Sequence, residues 1–325
     1  MINVRQSCTA IQKGKMRKVY CYIGGGLGNQ LFNYAAARSM AIDAGAKLYL
    51  RQDLFVGDGY KRQFALDDFN CADYVVVPAR PKFVRVPHYM FHTRIARAGL
   101  WRFLNTVVDR EWARYHSMPK KWIGSLSISG PWQSEKYFEH HAQEIYEEFQ
   151  LRDDSWLRRD SMYAEIRNSK DSVFLHVRSY KDTRFKDGSY ALPISYYIKA
   201  LEFLRSEVPQ GSKIFVFSDD LPWAVARLGD AASQNGFMLI PVEPDETLLP
   251  RGTYSSQYLR DFRLMQFCQH GIVADSTFSW WAGWLGEYSF ARKGSRAIRL
   301  CPDKGGQKDF YPQRWIPIAY KGDSK

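Results

Sequence analysis

From Ser172 to Leu300 short apolar runs alternate with stretches of helical spacing, and this alternation limits the fold more than any other feature of the chain. Ser172 to Val177, Lys213 to Phe217, Phe237 to Ile240, Gly271 to Ala274 and Ala297 to Leu300 read as strands. Between them Pro193 to Glu207, a segment opened by Pro222, Ser255 to His270 and Trp280 to Glu287 read as helices. Proline is tolerated at the start of a helix, where its missing N–H has no partner to lose. Strands separated by helices run parallel and are covered on both faces, which implies a doubly wound α/β sheet.

The first fifty residues repeat the scheme. Val19 to Ile23 is an apolar strand, Gly24, Gly25, Gly26 and Gly28 make a loop, and Leu31, Phe32, Ala35, Ala36, Met40 and Ala41 recur at helical spacing up to a stop at Gly45. Lys47 to Leu50 is a second strand. Residues 52–130 show no clear period; Ser134 to Phe149 reads as helical, and Asp153 to Asn168 as a further helix or a hinge. The length of 325 residues suits two domains, and the division expected is 1–155 and 156–325.

A net charge of +12 favours an anionic partner. No long Lys/Arg block and no nucleic-acid module occurs, which leaves the phosphates of a small substrate or an anionic membrane surface. Lys13, Lys15, Arg17 and Lys18 read as a disordered lead-in, with a lipid contact as the alternative. The five cysteines form no CxxC pair, as in a reducing compartment. No apolar run reaches membrane-span length and no signal segment follows Met1. The expectation is a cytoplasmic protein, with peripheral contact at the inner face of the membrane.

Four loops carry the candidate chemistry. Gly24 to Gln30 places glycines, Asn29 and Gln30 between a strand and a helix, where backbone N–H groups can meet an anion; the bland alternative is a structural turn. His176 and Arg178 share one side of a strand end, where an arginine fork can grip a diphosphate or simply pair at the surface. Asp219 and Asp220 follow the next strand, as acceptors for base or ribose hydroxyls or, for Asp220, as a helix N-cap. Asp275 to Trp284 opens a helix with Ser276, Thr277, Phe278 and Ser279, a turn able to bind phosphate; Trp280, Trp281 and Trp284 read as packing. No Asp-x-Asp triplet occurs, so a basic phosphate site in place of a metal is expected.

Gly-Gly-Leu-Gly-Asn-Gln-Leu-Phe-Asn-Tyr-Ala (25–35), His-Val-Arg (176–178), Phe-Ser-Asp-Asp with Trp223, Tyr-Leu-Arg-Asp-Phe-Arg-Leu-Met (258–265) and Ser-Thr-Phe-Ser-Trp-Trp-Ala-Gly-Trp-Leu (276–285) resemble the bacterial alpha-1,2-fucosyltransferases. The likeness holds in order over residues 19–300. It implies two Rossmann-like lobes of glycosyltransferase-B architecture with a cleft between, an acceptor side in the N-terminal lobe and nucleotide-sugar binding in the C-terminal lobe. It further implies a GDP-fucose donor, inversion at the anomeric carbon and no metal or other cofactor. The acceptor is expected to be a glycan, and an O-antigen or similar surface glycan built at the inner membrane face fits the absence of a membrane span. By position the resemblance gives Arg178 the donor diphosphate, His176 and Asp219 or Asp220 the guanine and ribose, and Ser276, Thr277 and Ser279 the phosphate turn. Phe278 stands within that turn, and Gly26, Gly28 and Asn29 face the reaction centre. The family's His-x-Arg-Arg-Gly-Asp-Tyr continues here as Ser179-Tyr180-Lys181-Asp182, with Lys181 as the substitute cation.

Overall fold

The computed structural model describes residues 16–56, 58–59, 61–79, 106–109, 113–179, 191–245, 247–248, 256–303, 305 and 308–320. They form two all-parallel sheets. In the first, β1 (Lys18–Tyr22), β2 (Lys47–Arg51), β3 (Tyr74–Val77), β4 (Thr106–Val108) and β5 (Ser125–Ser129) stand in the order β3-β2-β1-β5-β4. In the second, β6 (Val173–Val177), β7 (Lys213–Ser218), β8 (Met238–Pro241), β9 (His270–Ile272), β10 (Arg299–Pro302) and β11 (Ile316–Ile318) stand in the order β11-β10-β9-β6-β7-β8. The central strand β6 is buried along its whole length, as a parallel strand covered on both faces must be.

Helix α1 (Leu27–Ala44) follows β1 directly, and Gly45, in the left-handed conformation (φ 57°), closes it. It is buried on nearly every side because it lies between the first sheet and a helix of the second lobe. That helix, α7 (Thr277–Ala291), presents Trp280, Trp281 and Trp284, all buried. Phe32 of α1 meets the rings of Trp280 and Trp281 at 4.5 and 4.9 Å, and Phe138 stacks on Trp281 at 5.1 Å. The tryptophans are therefore the packing seam between the lobes.

The remaining helices are α2 (Ala142–Glu148), α3 (Ser161–Asn168), α4 (Ile194–Leu204), α5 (Leu221–Gln234) and α6 (Ser256–Phe267). The stretch 134–149 is not one helix: two 3-10 turns, Glu135–Tyr137 and Glu139–His141, precede α2. The segment 153–168 likewise divides into a 3-10 turn, Ser155–Arg159, and α3. Asp160 caps α3 through Met162 N at 2.9 Å and pairs with Arg260 of α6 at 2.8 and 3.1 Å, with both side chains buried. Arg263, one turn on, reaches Asp154 at 2.9 Å and Gln150 at 3.1 Å. Two charged residues of the 258–265 motif thus tie the connecting segment to the second lobe. Among the described residues no helix is long and apolar enough to cross a membrane.

Candidate active site

The carboxyl ends of β1 and β9 lead into α1 and α7, and the first turns of those helices touch. A Cβ built on Gly28 would lie 2.4 Å from the Thr277 carbonyl carbon and 2.7 Å from the Phe278 nitrogen, so only glycine permits this approach. The two N-termini belong to different lobes. Each contributes about half a positive charge, and neither first turn contains an acidic residue to neutralise it. Ser276 caps α7, its hydroxyl accepting from Phe278 N at 3.3 Å.

In the second lobe the strand ends bring His176, Arg178 and Asp219 together. Arg178 Nη1 donates to Asp219 Oδ2 at 2.9 Å, and Ser179 N donates to Asp219 Oδ1 at 2.7 Å. Asp219 therefore fixes the arginine that follows β6. The guanidinium has five N–H donors, so a bond to Asp219 can orient it without exhausting it. His176 is buried against the Phe278 ring (centroids 5.7 Å apart). Burial, and then the Arg178 charge, lower its pKa to about 3, which leaves it neutral over the working pH range. Its Nδ1 is buried and makes no hydrogen bond to the described residues. Asp220 stands at the cap position of α5, yet its side chain makes no capping bond; its N–H donates to Ser218 Oγ at 3.0 Å.

In the first lobe Gly26 caps α1 with extended backbone (φ −71°, ψ 174°). The Asn29 side-chain oxygen accepts from Gln133 Nε2 at 2.8 Å. Gln133 is set in turn by the turn after β5, where Asp109 Oδ2 accepts from Trp132 N at 3.0 Å. Asn29 is thus held from a neighbouring strand end. Its neighbour Gln30 is fully buried and braces the loop from within. It donates to the carbonyls of Gly25 (3.1 Å) and Gln63 (2.8 Å) and accepts from Ala65 N (2.9 Å), clasping the loop to the 63–65 segment.

Ser279 points into the β9–α7 turn. It is fully buried, and its hydroxyl accepts from Ala274 N at 3.2 Å while lying 3.4 Å from the Ser276 carbonyl. Its oxygen shapes the β9–α7 turn, and Ser276 to Phe278 form the cap of α7. Gly28 likewise serves by letting the lobes touch. Lys181 and the rest of 180–182 lie outside the described residues.

Two side chains outside the four sequence loops join the site. Arg62 hangs over the glycine loop, its Nε 3.9 Å from a Cβ built on Gly26; it belongs to the stretch without period, and the signal for it is a cation in the loop that follows β2. Tyr258, on α6, keeps 42% of its surface exposed and sits edge-on to Phe278 at 6.4 Å, the ring that also packs on the His176 imidazole.

Residues 18–289 match the profile of Glycosyl transferase family 11. The chain belongs to this family. It is 25% identical over 312 residues to an alpha-1,2-colitosyltransferase of Escherichia coli, spanning 89% of this chain and 98% of the relative. It is also 25% identical over 293 residues to the Escherichia coli O-antigen biosynthesis glycosyltransferase WbnK, spanning 83% and 91%. Its fold is that of a mutant of Arabidopsis thaliana FUT1 in complex with GDP, at a TM-score of 0.53 and 12% identity, covering 96% of this chain and 78% of the other. The family 11 chain is therefore a glycosyltransferase of two-lobed, glycosyltransferase-B architecture.

Proposed function

We propose that this glycosyltransferase moves fucose, or a close deoxyhexose such as colitose, from its GDP-activated form to a hydroxyl of an acceptor glycan, in alpha-1,2 linkage, with inversion and without a metal. The observation that carries the proposal is the meeting of two helix N-termini, one from each lobe, at Gly28 and Thr277. Such a junction suits a doubly charged leaving group. The 25% likeness to a colitosyltransferase and an O-antigen transferase supports a deoxysugar donor and a cell-surface polysaccharide acceptor.

In the reaction the acceptor oxygen attacks the anomeric carbon from the face opposite the diphosphate. The carbon–oxygen bond to the acceptor forms as the bond to the β-phosphate oxygen breaks, and GDP leaves with the bonding pair. Charge grows on that oxygen, so fixed donors aimed at it lower the barrier. The N–H of Thr277 and the Arg178 guanidinium, oriented by Asp219, take this role, while the Phe278 N–H stays with the Ser276 hydroxyl that caps the helix. Neutral His176 and the Tyr258 ring suit the uncharged nucleoside end, and Arg62 and Asn29 suit the sugar and acceptor side. The hydroxyl proton leaves for water or the departing phosphate.

The test is transfer from GDP-fucose and GDP-colitose to galactose-terminated oligosaccharides in excess EDTA, with the product linkage read by NMR. The expected product is an alpha-1,2-linked deoxysugar formed at an undiminished rate. Turnover that stops in EDTA and returns with Mg²⁺ or Mn²⁺ would overturn the metal-free mechanism, and transfer from UDP-sugars alone would overturn the donor.

A further inference from the structure

At the far end of α1 from the glycine loop lies a cluster the transfer reaction does not use. Asp43, in the last turn of α1, accepts from both members of a histidine pair in the 3-10 turn Glu139–His141. His140 Nε2 is 3.0 Å from Asp43 Oδ2, and His141 Nε2 is 2.8 Å from Asp43 Oδ1. The ligand atoms of all three residues lie within 4.8 Å of one another. We infer that Asp43, His140 and His141 form a binding site for a first-row transition-metal dication of the Zn(II) type.

The geometry is close to what such an ion requires. In a tetrahedral Zn(II) site with ligands at about 2.0–2.1 Å, neighbouring ligand atoms stand roughly 3.3 Å apart. The two N–O separations, 3.0 and 2.8 Å, run to different carboxylate oxygens and lie within about half an ångström of that spacing, so the carboxylate has to turn to bind through one oxygen or hold the ion with both, and the imidazoles close from within 4.8 Å. Asp43 and His140 are each about half exposed, so the rings can make that adjustment and an ion can enter from solvent. The second ring nitrogen of His141 faces Glu144 Oε1 at 3.7 Å, the imidazole–carboxylate arrangement that orients metal-bound histidines. The Ser39 hydroxyl stands 3.2 Å from His140 Nε2 and adds an oxygen at the rim.

The donor set also selects the ion. Two imidazoles and one carboxylate suit Zn, Ni or Cu and leave at least one position for water; Mg²⁺ and Ca²⁺ call for oxygen ligands throughout. The ion would pin the end of α1 to the turn before α2. Asp43 is 17 residues along the helix from Gly26, about 25 Å at 1.5 Å per residue. Its effect is therefore on stability and not on turnover.

The experiment is calorimetric titration of the full chain, stripped with EDTA and dialysed, with zinc sulfate at pH 7.5, alongside melting curves. One equivalent of Zn(II) is expected to bind and raise the Tm, with Mg²⁺ giving no shift. His140→Gln combined with His141→Gln should weaken Zn(II) binding by at least about 100-fold, on the scale of ligand-shell losses. Asp43→Asn provides a second variant should the double one fail to fold. Cobalt(II) added to the wild type should show visible bands of a nitrogen–oxygen site without thiolate charge transfer. An equal Tm rise in wild type and both variants, thiolate bands with cobalt, or no binding below millimolar Zn(II) would each overturn the assignment.

Discussion

Replacing Gly28 by alanine tests the junction on which the active-site reading stands. The new methyl carbon would sit 2.4 Å from the Thr277 carbonyl carbon, about 1 Å short of the 3.4 Å of an ordinary contact. The obstacle is backbone in a buried turn, so relief requires α1 and α7 to separate by roughly that distance. Overpacking of this kind costs about 1–3 kcal/mol, offset by at most ~1 kcal/mol from the better helix propensity of alanine. A misplacement of ~1 Å between reacting groups costs on the order of 10²-fold in rate. Gly28→Ala should therefore lower the Tm by a few degrees and kcat by one to two orders of magnitude. Gly26→Ala is the control: its backbone suits alanine and the nearest atom is 3.9 Å away, so its Tm should match the wild type. Melting curves and initial rates of GDP release for the three proteins decide the matter. Wild-type kcat in Gly28→Ala would refute the reasoning, and a lower Tm with unchanged kcat would show that the chemistry lies away from the helix junction.

Arg178→Ala should lower kcat by roughly 10²-fold or more, as loss of one charge-stabilising donor does, while Arg178→Lys recovers only part because a point charge lacks the fork; steady-state kinetics on both variants is the check. Ser279→Ala removes the acceptor for a buried Ala274 N–H and should cost about 1–3 kcal/mol of stability with KM for the donor unchanged, measured by denaturant titration and donor saturation. His176 has a folded-state pKa of about 3 against an ordinary 6.5, so below pH 6.5 the unfolded chain binds the extra proton and stability falls, by about 1.4 kcal/mol per pH unit, until pH 3. His176→Asn should remove that part of the slope in melting curves between pH 6.5 and 4. His270, lowered to about 4 chiefly by burial, keeps its own contribution of the same sign, and Asp261, raised to about 7 by burial, contributes with the opposite sign.

The second sheet was legible because its strands are apolar runs such as Val173 to Val177, bounded by turns and separated by amphipathic helices. The first sheet was legible only at β1 and β2. The strand β5, Ser-Leu-Ser-Ile-Ser, carries its signal in two residues, Leu126 and Ile128, and β4 has three residues, too few for any period; the same holds for β11, the one strand of the second sheet that the sequence did not show. The stretch 134–149 has helical composition, but Ser134 caps a 3-10 turn through Lys136 N and the chain restarts at Phe138. At the site, the glycine loop and the strand-end residues could be read because parallel sheets place ligands at carboxyl ends. Inward or outward direction could not: Ser276 and Ser279 look alike in sequence, and only the fold turns one to the cap and the other into the turn. The partnership of Arg178 with Asp219 spans 41 positions, and the approach of Gly28 to Thr277 joins two lobes, so neither leaves a local signature.

The central claim, a GDP-sugar site built on helix N-termini and Arg178 in place of a metal, is tested most directly by calorimetric titration of the protein with GDP and with UDP in excess EDTA. The account predicts that GDP binds in EDTA, that UDP binds at least tenfold more weakly, and that Arg178→Ala weakens GDP binding while its Tm stays close to the wild type. Equal affinity for the two nucleotides, or GDP binding that appears only when Mg²⁺ or Mn²⁺ is restored, would contradict it.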